Sequence, residues 1–103
     1  MYLINTTFQV ELPIADEFLD VLDYFISDNS KRSDLHSPIL SRLSTHLTDE
    51  TIDTETYALQ FRVSSRAVLD HFQRFELNAL LKRLFSRFGS RVMFFTSVLE
   101  IIK

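Results

Sequence analysis

The segment YALQFRV at residues 57–63 runs directly into Ser64, Ser65 and a long apolar stripe, and this junction decides the fold. Within the segment, large apolar residues alternate with alanine, glutamine and arginine, a period of two that predicts a strand with one buried face. Serine is favoured at the N-cap of a helix, where its hydroxyl accepts a hydrogen bond from a free backbone N–H. The sequence therefore predicts a strand that passes directly into a helix.

The first part of the chain has the same order of strand and helix. Residues 2–12 alternate as a strand does, with Thr6 as the one polar residue in the apolar register. Pro13 ends that pattern, because it cannot donate to a strand ladder. Apolar residues then recur at helical spacing and predict a helix over residues 14–26.

The middle of the chain carries weaker signals. Residues 28–38 are rich in polar and charged side chains and are predicted to be a solvated connection. The alternation over residues 40–48 predicts a strand, and its low apolar content and the nearby Pro38 place it at a sheet edge. Residues 49–55 are predicted to form a polar turn.

After the junction, an apolar stripe over residues 68–88 predicts a helix. Its register slips near Phe75 and Leu77, so we expect a bend or two consecutive helices there. Gly89, the only glycine of the chain, is predicted to form a left-handed cap at the helix end. Residues 92–102 predict a last strand that is apolar on both faces.

The resulting order, β-α-β-β-α-β, predicts an α+β protein with a ferredoxin-like sandwich. Right-handed crossovers place both helices on one face of a four-stranded antiparallel sheet, with the first and third strands central. The length of 103 residues suits a single domain spanning residues 1–103. The other face of the sheet would be open, and apolar residues of the last strand, Phe95 and Leu99, would form an interface there. We therefore expect a homodimer.

Composition excludes several classes of function. The chain has no cysteine, which excludes disulfides, a thiolate nucleophile and cysteine-ligated metals. One glycine is too few for a nucleotide-binding loop. No lysine or arginine precedes Lys31 and no apolar run is long enough to span a bilayer, so we expect a cytoplasmic protein without a membrane partner.

Three segments carry a resemblance to a known family: residues 2–7 (YLINTT), 56–61 (TYALQF) and 88–100 (FGSRVMFFTSVLE). With them the chain resembles, nearly end to end, a small bacterial family known only as a domain of unknown function. The resemblance implies a ferredoxin-like dimeric α/β barrel, similar to the cofactor-free monooxygenases of antibiotic biosynthesis. It implies little about chemistry.

Four polar residues of the two central strands take the register opposite the main apolar face: Asn5, Thr7, Gln60 and Arg62. In one interpretation, Arg62 binds an anionic ligand that Asn5 and Gln60 orient. In the other, the same groups hydrogen-bond across a two-fold interface, because partly buried polar groups need partners. Neither interpretation supplies a nucleophile or a paired acid and base.

Metal and nucleic-acid binding are not expected. His36, His46 and His71 lack metal-ligand spacing, so we predict surface histidines, no metal site and no cofactor. The β-α-β-β-α-β order also occurs in RNA-recognition domains, but the strand at residues 55–61 lacks their glycine and basic residue. A net charge of −3 also works against binding to phosphates.

Two classes of function remain open from the sequence. The first is a homodimeric ligand-binding or interaction module without chemistry of its own. The second is a small cofactor-independent enzyme, monooxygenase-like or isomerase-like, with a pocket between helices and sheet. Tyr2, Tyr24 or Tyr57 would supply polar groups in that pocket. A cavity of ligand size between helices and sheet would favour the enzyme, and a filled core would favour the binding module.

Overall fold

A computed structural model of the protein describes residues 1–43 and 53–103. These residues form four strands, β1 to β4, which span Tyr2–Glu11, Leu35–Arg42, Thr54–Val63 and Val92–Glu100. The helices α1, α2 and α3 span Ala15–Asn29, Arg66–His71 and Asn78–Phe88, and a π-helical segment, Phe72–Leu77, joins α2 to α3. The predicted β-α-β-β-α-β order is confirmed.

The strands form one sheet in the order β2-β3-β1-β4, and every pairing between neighbours is antiparallel. The two central strands, β1 and β3, are the first and third in the chain, as predicted. The helices cover one face of this sheet. None of the described helices has the length and apolar character that crossing a bilayer requires.

Aromatic rings fill the space between the sheet and the helices. Phe8 of β1 meets Phe18 of α1 with ring centroids 5.1 Å apart, and Phe61 of β3 meets Phe72 at 5.1 Å. Phe25 of α1 contacts both Phe61 and Phe72 at 6.1 Å. All five rings are buried. Tilted and edge-on contacts between rings add to the stability that a core gains from buried apolar area alone.

The predicted bounds in the middle of the chain are wrong. We expected a solvated connection over residues 28–38 and a strand over 40–48, whereas β2 begins at Leu35 and ends at Arg42. Leu35 is buried opposite Val63, so pairing with β3 outweighs the polar composition of the segment. The strand accommodates Pro38 through a shift in register between His36 and Ile39. Its predicted place at a sheet edge is confirmed.

Residues 44–52 lie outside the described residues. The end of the predicted strand over 40–48 and the start of the predicted turn over 49–55 fall there. The end of that turn is wrong, because β3 already begins at Thr54.

The junction after β3 is built as predicted. The Ser65 hydroxyl accepts a hydrogen bond from the Val68 backbone N–H at 3.2 Å and caps α2. The slip in the apolar register is accommodated by the π-helical segment, whose wider turn keeps both Phe72 and Leu77 in the core. Gly89 follows α3 with a φ of 60° and a ψ of −134°. The positive φ agrees with the prediction, but the backbone is not in the left-handed helical region that the predicted cap requires.

The π-helical segment offers a matched pair of phenylalanines that tests the aromatic core. Phe72 is 0% exposed and Phe75 is 56% exposed, although they lie three residues apart. Phe72→Ala should lower the free energy of unfolding by about 3–5 kcal/mol, because it opens a cavity among packed rings. Phe75→Ala should cost less than about 1 kcal/mol. Urea unfolding of both variants measures the difference, and equal losses would show that the rings are not packed as described.

Candidate functional site

The face of the sheet that the helices leave uncovered, called here the open face, carries every residue of the predicted polar cluster. Asn5 pairs with Gln60 on one side and Ser97 on the other. Thr7 lies two residues further along β1, and Arg62 lies two residues further along β3. Side chains two apart on a strand share a face, so all four residues lie on the open face. Because β1 and β3 are antiparallel, Thr7, opposite Ala58, and Arg62, opposite Leu3, lie on either side of the Asn5–Gln60 pair.

Hydrogen bonding in this cluster is incomplete. The Asn5 amide Nδ2 donates to the Thr7 hydroxyl at 3.2 Å. The other amide atom, Asn5 Oδ1, is buried and has no hydrogen-bond partner among the described residues. An unpaired buried acceptor costs about 1–3 kcal/mol. The centre of the open face therefore holds a buried amide oxygen whose hydrogen-bonding capacity the described residues leave unused.

Apolar side chains of β4 surround this polar centre. Phe95 pairs with Thr7, and Leu99 pairs with Leu3, so both project from the open face. Phe95 is 62% exposed, and Met93 and Leu99 are exposed beside it. On β2, the strand at the other edge of the sheet, Ile39 is exposed as well. The open face thus has a polar centre, an apolar edge along β4, and a mixed edge along β2 where Ile39 is accompanied by His36 and Ser41.

A cleft of about 320 Å³ opens at one end of this face. It is lined by polar residues of the central strands and by aromatic and thioether side chains of β4: Thr7, Gln9, Thr56, Met93, Phe94 and Phe95. Of the predicted cluster, only Thr7 lines it. A cleft of this kind suits a small molecule with an apolar body and few hydrogen-bonding groups.

The three tyrosines expected in an enzyme pocket are not brought together. Tyr57 is buried at one end of β3 and its ring lies 5.4 Å from that of Phe18. Tyr2 pairs with Val63 at the other end of β3, and Tyr24 is exposed on α1. The space between sheet and helices that would hold the pocket is occupied by the aromatic rings described above. The three tyrosines, which the sequence offers as alternative polar groups of a pocket, therefore lie in different parts of the fold.

The histidines are also separate where they are described. His36 is exposed on β2, and His71 is exposed at the end of α2 with its ring centroid 4.7 Å from that of Phe75. His46 lies outside the described residues. Within residues 1–43 and 53–103, no three histidine, aspartate or glutamate side chains are grouped as a metal ion would require.

An ion-pair network that the sequence did not reveal joins the α1–β2 connection to the helices. Arg32 donates to both carboxylate oxygens of Asp34, at 2.9 and 2.8 Å, and to Glu76 Oε1 at 2.6 Å. These bonds lower the pKa of Asp34 and raise the pKa of Arg32. Glu76 also lines a second cleft, between α1 and the π-helical segment. No local pattern could have indicated it, because Glu76 and Arg32 are 44 residues apart.

Comparison with protein families gives a match over nearly the whole chain. A family model described as a domain of unknown function, DUF4286, matches residues 1–102. No curated protein sequence matches the chain.

Several solved structures have the same fold as this chain at low sequence identity. A proposed antibiotic biosynthesis monooxygenase from Deinococcus radiodurans is 10% identical with a TM-score of 0.76, covering 100% of this chain and 94% of its own. The de novo designed protein Foldit4 is 4% identical with a TM-score of 0.67, covering 97% of each chain. A dimeric ferredoxin-like protein from an uncultured marine organism is 13% identical with a TM-score of 0.59, covering 99% and 96%. These likenesses show a ferredoxin-like fold, which a designed protein also has, and fold alone carries no activity.

The pH dependence of stability tests whether Tyr57 is buried in a filled interior. Burial, and next the charge of Glu55, raise the pKa of the Tyr57 phenol above its ordinary value of 10.0. Folding therefore favours the neutral phenol, and the stability this gives is present below pH 10 and lost as the pH rises above it. Tyr57→Phe should lose less of its free energy of unfolding between pH 8 and pH 11 than the unchanged protein does, because phenylalanine has no phenol to ionise.

Urea unfolding at several pH values measures this difference. Tyr24→Phe is the matched control, because the Tyr24 ring is 64% exposed, and it should keep the profile of the unchanged protein. Identical profiles for all three proteins would contradict the burial of the Tyr57 hydroxyl.

Proposed function

Since the chain belongs to the DUF4286 family of domains of unknown function, we propose from the geometry of the open face that it is a homodimeric binding module. Two copies pack their open faces together, and a small molecule binds in the cleft that remains between them. The module acts in the bacterial cytoplasm, a reducing compartment that suits a chain without cysteine.

The apolar edge of the open face carries this proposal. Met93, Phe95 and Leu99 are all exposed and stand in one row along β4. Edge strands are commonly protected by lysine or proline, yet the only charged residue of β4 is Glu100 at its end. Each square ångström of apolar surface that a partner removes from water contributes about 25 cal/mol. Contiguous patches of this kind usually mark an interface.

A second copy is the partner that fits the polar centre. In a two-fold interface each residue meets the same surface of the other copy, so donors and acceptors of the cluster face one another. Gln60 and Arg62 carry N–H donors, and Asn5 Oδ1 is the acceptor without a partner. The open face thus contains both halves of the hydrogen bonds that a two-fold contact needs. A protein of the same fold is described as dimeric, which is compatible with this arrangement.

The enzyme alternative receives less support. A cofactor-independent monooxygenase or isomerase would need a pocket between helices and sheet with converging polar groups. In the described residues that space holds Phe8, Phe18, Phe61 and Phe72, each at most 2% exposed. A filled interior leaves the clefts at the surface as binding sites, and these favour a binding module.

Light scattering tests the dimer directly. At micromolar concentration the protein should have twice the mass of the 12.1 kDa chain. A mass of one chain would contradict the proposal.

Two phenylalanine variants locate the interface. Phe95→Asp places a charge on the open face and should convert the dimer to a monomer, because an unpaired charge in an interface is costly to desolvate. Phe85→Asp is the matched control: Phe85 is 67% exposed but lies on α3 rather than on the sheet. It should remain dimeric. If Phe95→Asp keeps the mass of the unchanged protein, or if only Phe85→Asp dissociates, the open face is not the interface.

A further inference from the structure

The side of β4 that faces away from β1, called here the free edge, exposes backbone hydrogen-bonding groups. Within the described part of the chain, β4 stands at the end of the sheet and pairs with β1 alone. Just beyond the strand, the Ile101 N–H donates to the Met1 carbonyl at 2.9 Å. Hydrogen bonding alternates along an antiparallel pair, so the odd-numbered residues of β4 bond to β1. The N–H and C=O groups of Phe94, Thr96 and Val98 therefore point to the free edge.

The free edge is also apolar on the helical side of the sheet. Phe94 pairs with Phe8, so it faces the aromatic layer, and Val98 lies four residues further along the same side of β4. Both are exposed. A dimer through the open face packs the opposite side of the sheet and does not cover Val98.

Helix α3 places an exposed phenylalanine above the free edge. Arg87 of α3 pairs with Glu17 of α1 at 3.2 Å, which identifies the side of α3 that faces α1. Phe85 lies two residues before Arg87, about 200° around the helix, so it faces away from α1. Helix α1 packs over β3, where Phe25 contacts Phe61, whereas α3 contacts β4. Phe85 is therefore on the side of α3 nearest the free edge, and it is exposed there.

The sequence of β4 is complementary to itself in one antiparallel register. When Thr96 of two copies lie opposite each other about a two-fold axis, the N–H and C=O groups of the two free edges meet. In that register Phe94 lies opposite Val98 on the helical side, and Met93 lies opposite Leu99 on the other side. All four of these side chains are exposed in a single copy. A shift of two residues in either direction places Phe94 opposite a threonine or a glutamate instead.

From this register we infer that β4 pairs edge to edge with β4 of a second copy, antiparallel and centred on Thr96. The two sheets then form one sheet of eight strands, and the two α3 helices lie side by side above the seam, with Phe85 at their contact. Apolar cross-strand pairs stabilise the contact.

The edge contact goes beyond the proposed function and does not rest on it. The open face joins two sheets face to face, whereas the free edge joins them side by side, so the free edge brings two open-face dimers together. One strand edge and one helix side bury less apolar surface than a whole sheet face. We therefore expect the edge contact at concentrations above those at which the open-face dimer forms.

A single introduced cysteine tests the register, since the chain has no other. Directly opposite residues of an antiparallel pair have Cα atoms about 5.5 Å apart, which a disulfide can span. Thr96→Cys should therefore form a disulfide between two copies on mild oxidation at about 0.2 mM protein. Val98→Cys is the matched control on the same side of the same strand, because its two copies would lie about 13 Å apart along the strands.

The rate of cross-linking decides the inference. Thr96→Cys should cross-link at least about tenfold faster than Val98→Cys. The Thr96 hydroxyl lies 3.0 Å from that of the buried Thr6, on the helical side, so packing of the open faces does not bring two copies of Thr96 together. The result is thus independent of the proposed dimer. Equal rates for the two variants would overturn the inference and leave the free edge to a strand of another protein.

Phe85 tests the helical side of the same contact. Adding Phe85→Asp to Thr96→Cys should slow cross-linking at least about tenfold, because the contact would desolvate the new carboxylate. Tyr24→Asp is the matched control, since Tyr24 is also exposed but lies on α1, away from the free edge, and it should leave the rate unchanged. Equal rates in the two double variants would show that Phe85 is not buried between copies and would overturn the inference.

Discussion

The aromatic layer between the sheet and the helices is the contact on which the rest of the structure depends. Phe8 and Phe61 project from the two central strands and meet Phe18 and Phe72 from the helices. Interiors packed in this way have no room for a ligand. The binding site that we propose therefore lies outside this layer, on the open face of the sheet.

The alternation of strand residues also explains the character of the open face. Side chains that do not enter the aromatic layer project to the opposite side, and at the centre of β1 and β3 most of these are polar, with Leu3 and Ala58 as exceptions. On β4 they are apolar, because this strand has large apolar residues in both registers. A monomer would leave that strand in water on a face that no helix covers. A second copy would remove the apolar edges from water and supply donors to the polar centre at once.

Much of this arrangement could be predicted from the sequence. The alternation at residues 57–63, the serine cap and the single glycine gave the third strand and the limits of the following helices, and strand register placed Asn5 and Gln60 on one face. The start of β2 could not be predicted, because the burial of Leu35 depends on tertiary contacts with the core and on pairing with Val63, which the local sequence does not show. The contact of Arg32 with Glu76 depends on tertiary packing in the same way. Local patterns report the period of a segment, but they do not report which segments meet.

Isotope-filtered NMR on a mixture of labelled and unlabelled copies tests most directly whether a second copy covers the sheet. Nuclear Overhauser effects recorded only between copies should connect the methyl groups of Met93 and Leu99 and the ring of Phe95 with residues of the open face. Such contacts would place the two sheets against each other. If the sample shows no contacts between copies from these side chains, or contacts only from the helices, the open face is not where two copies meet.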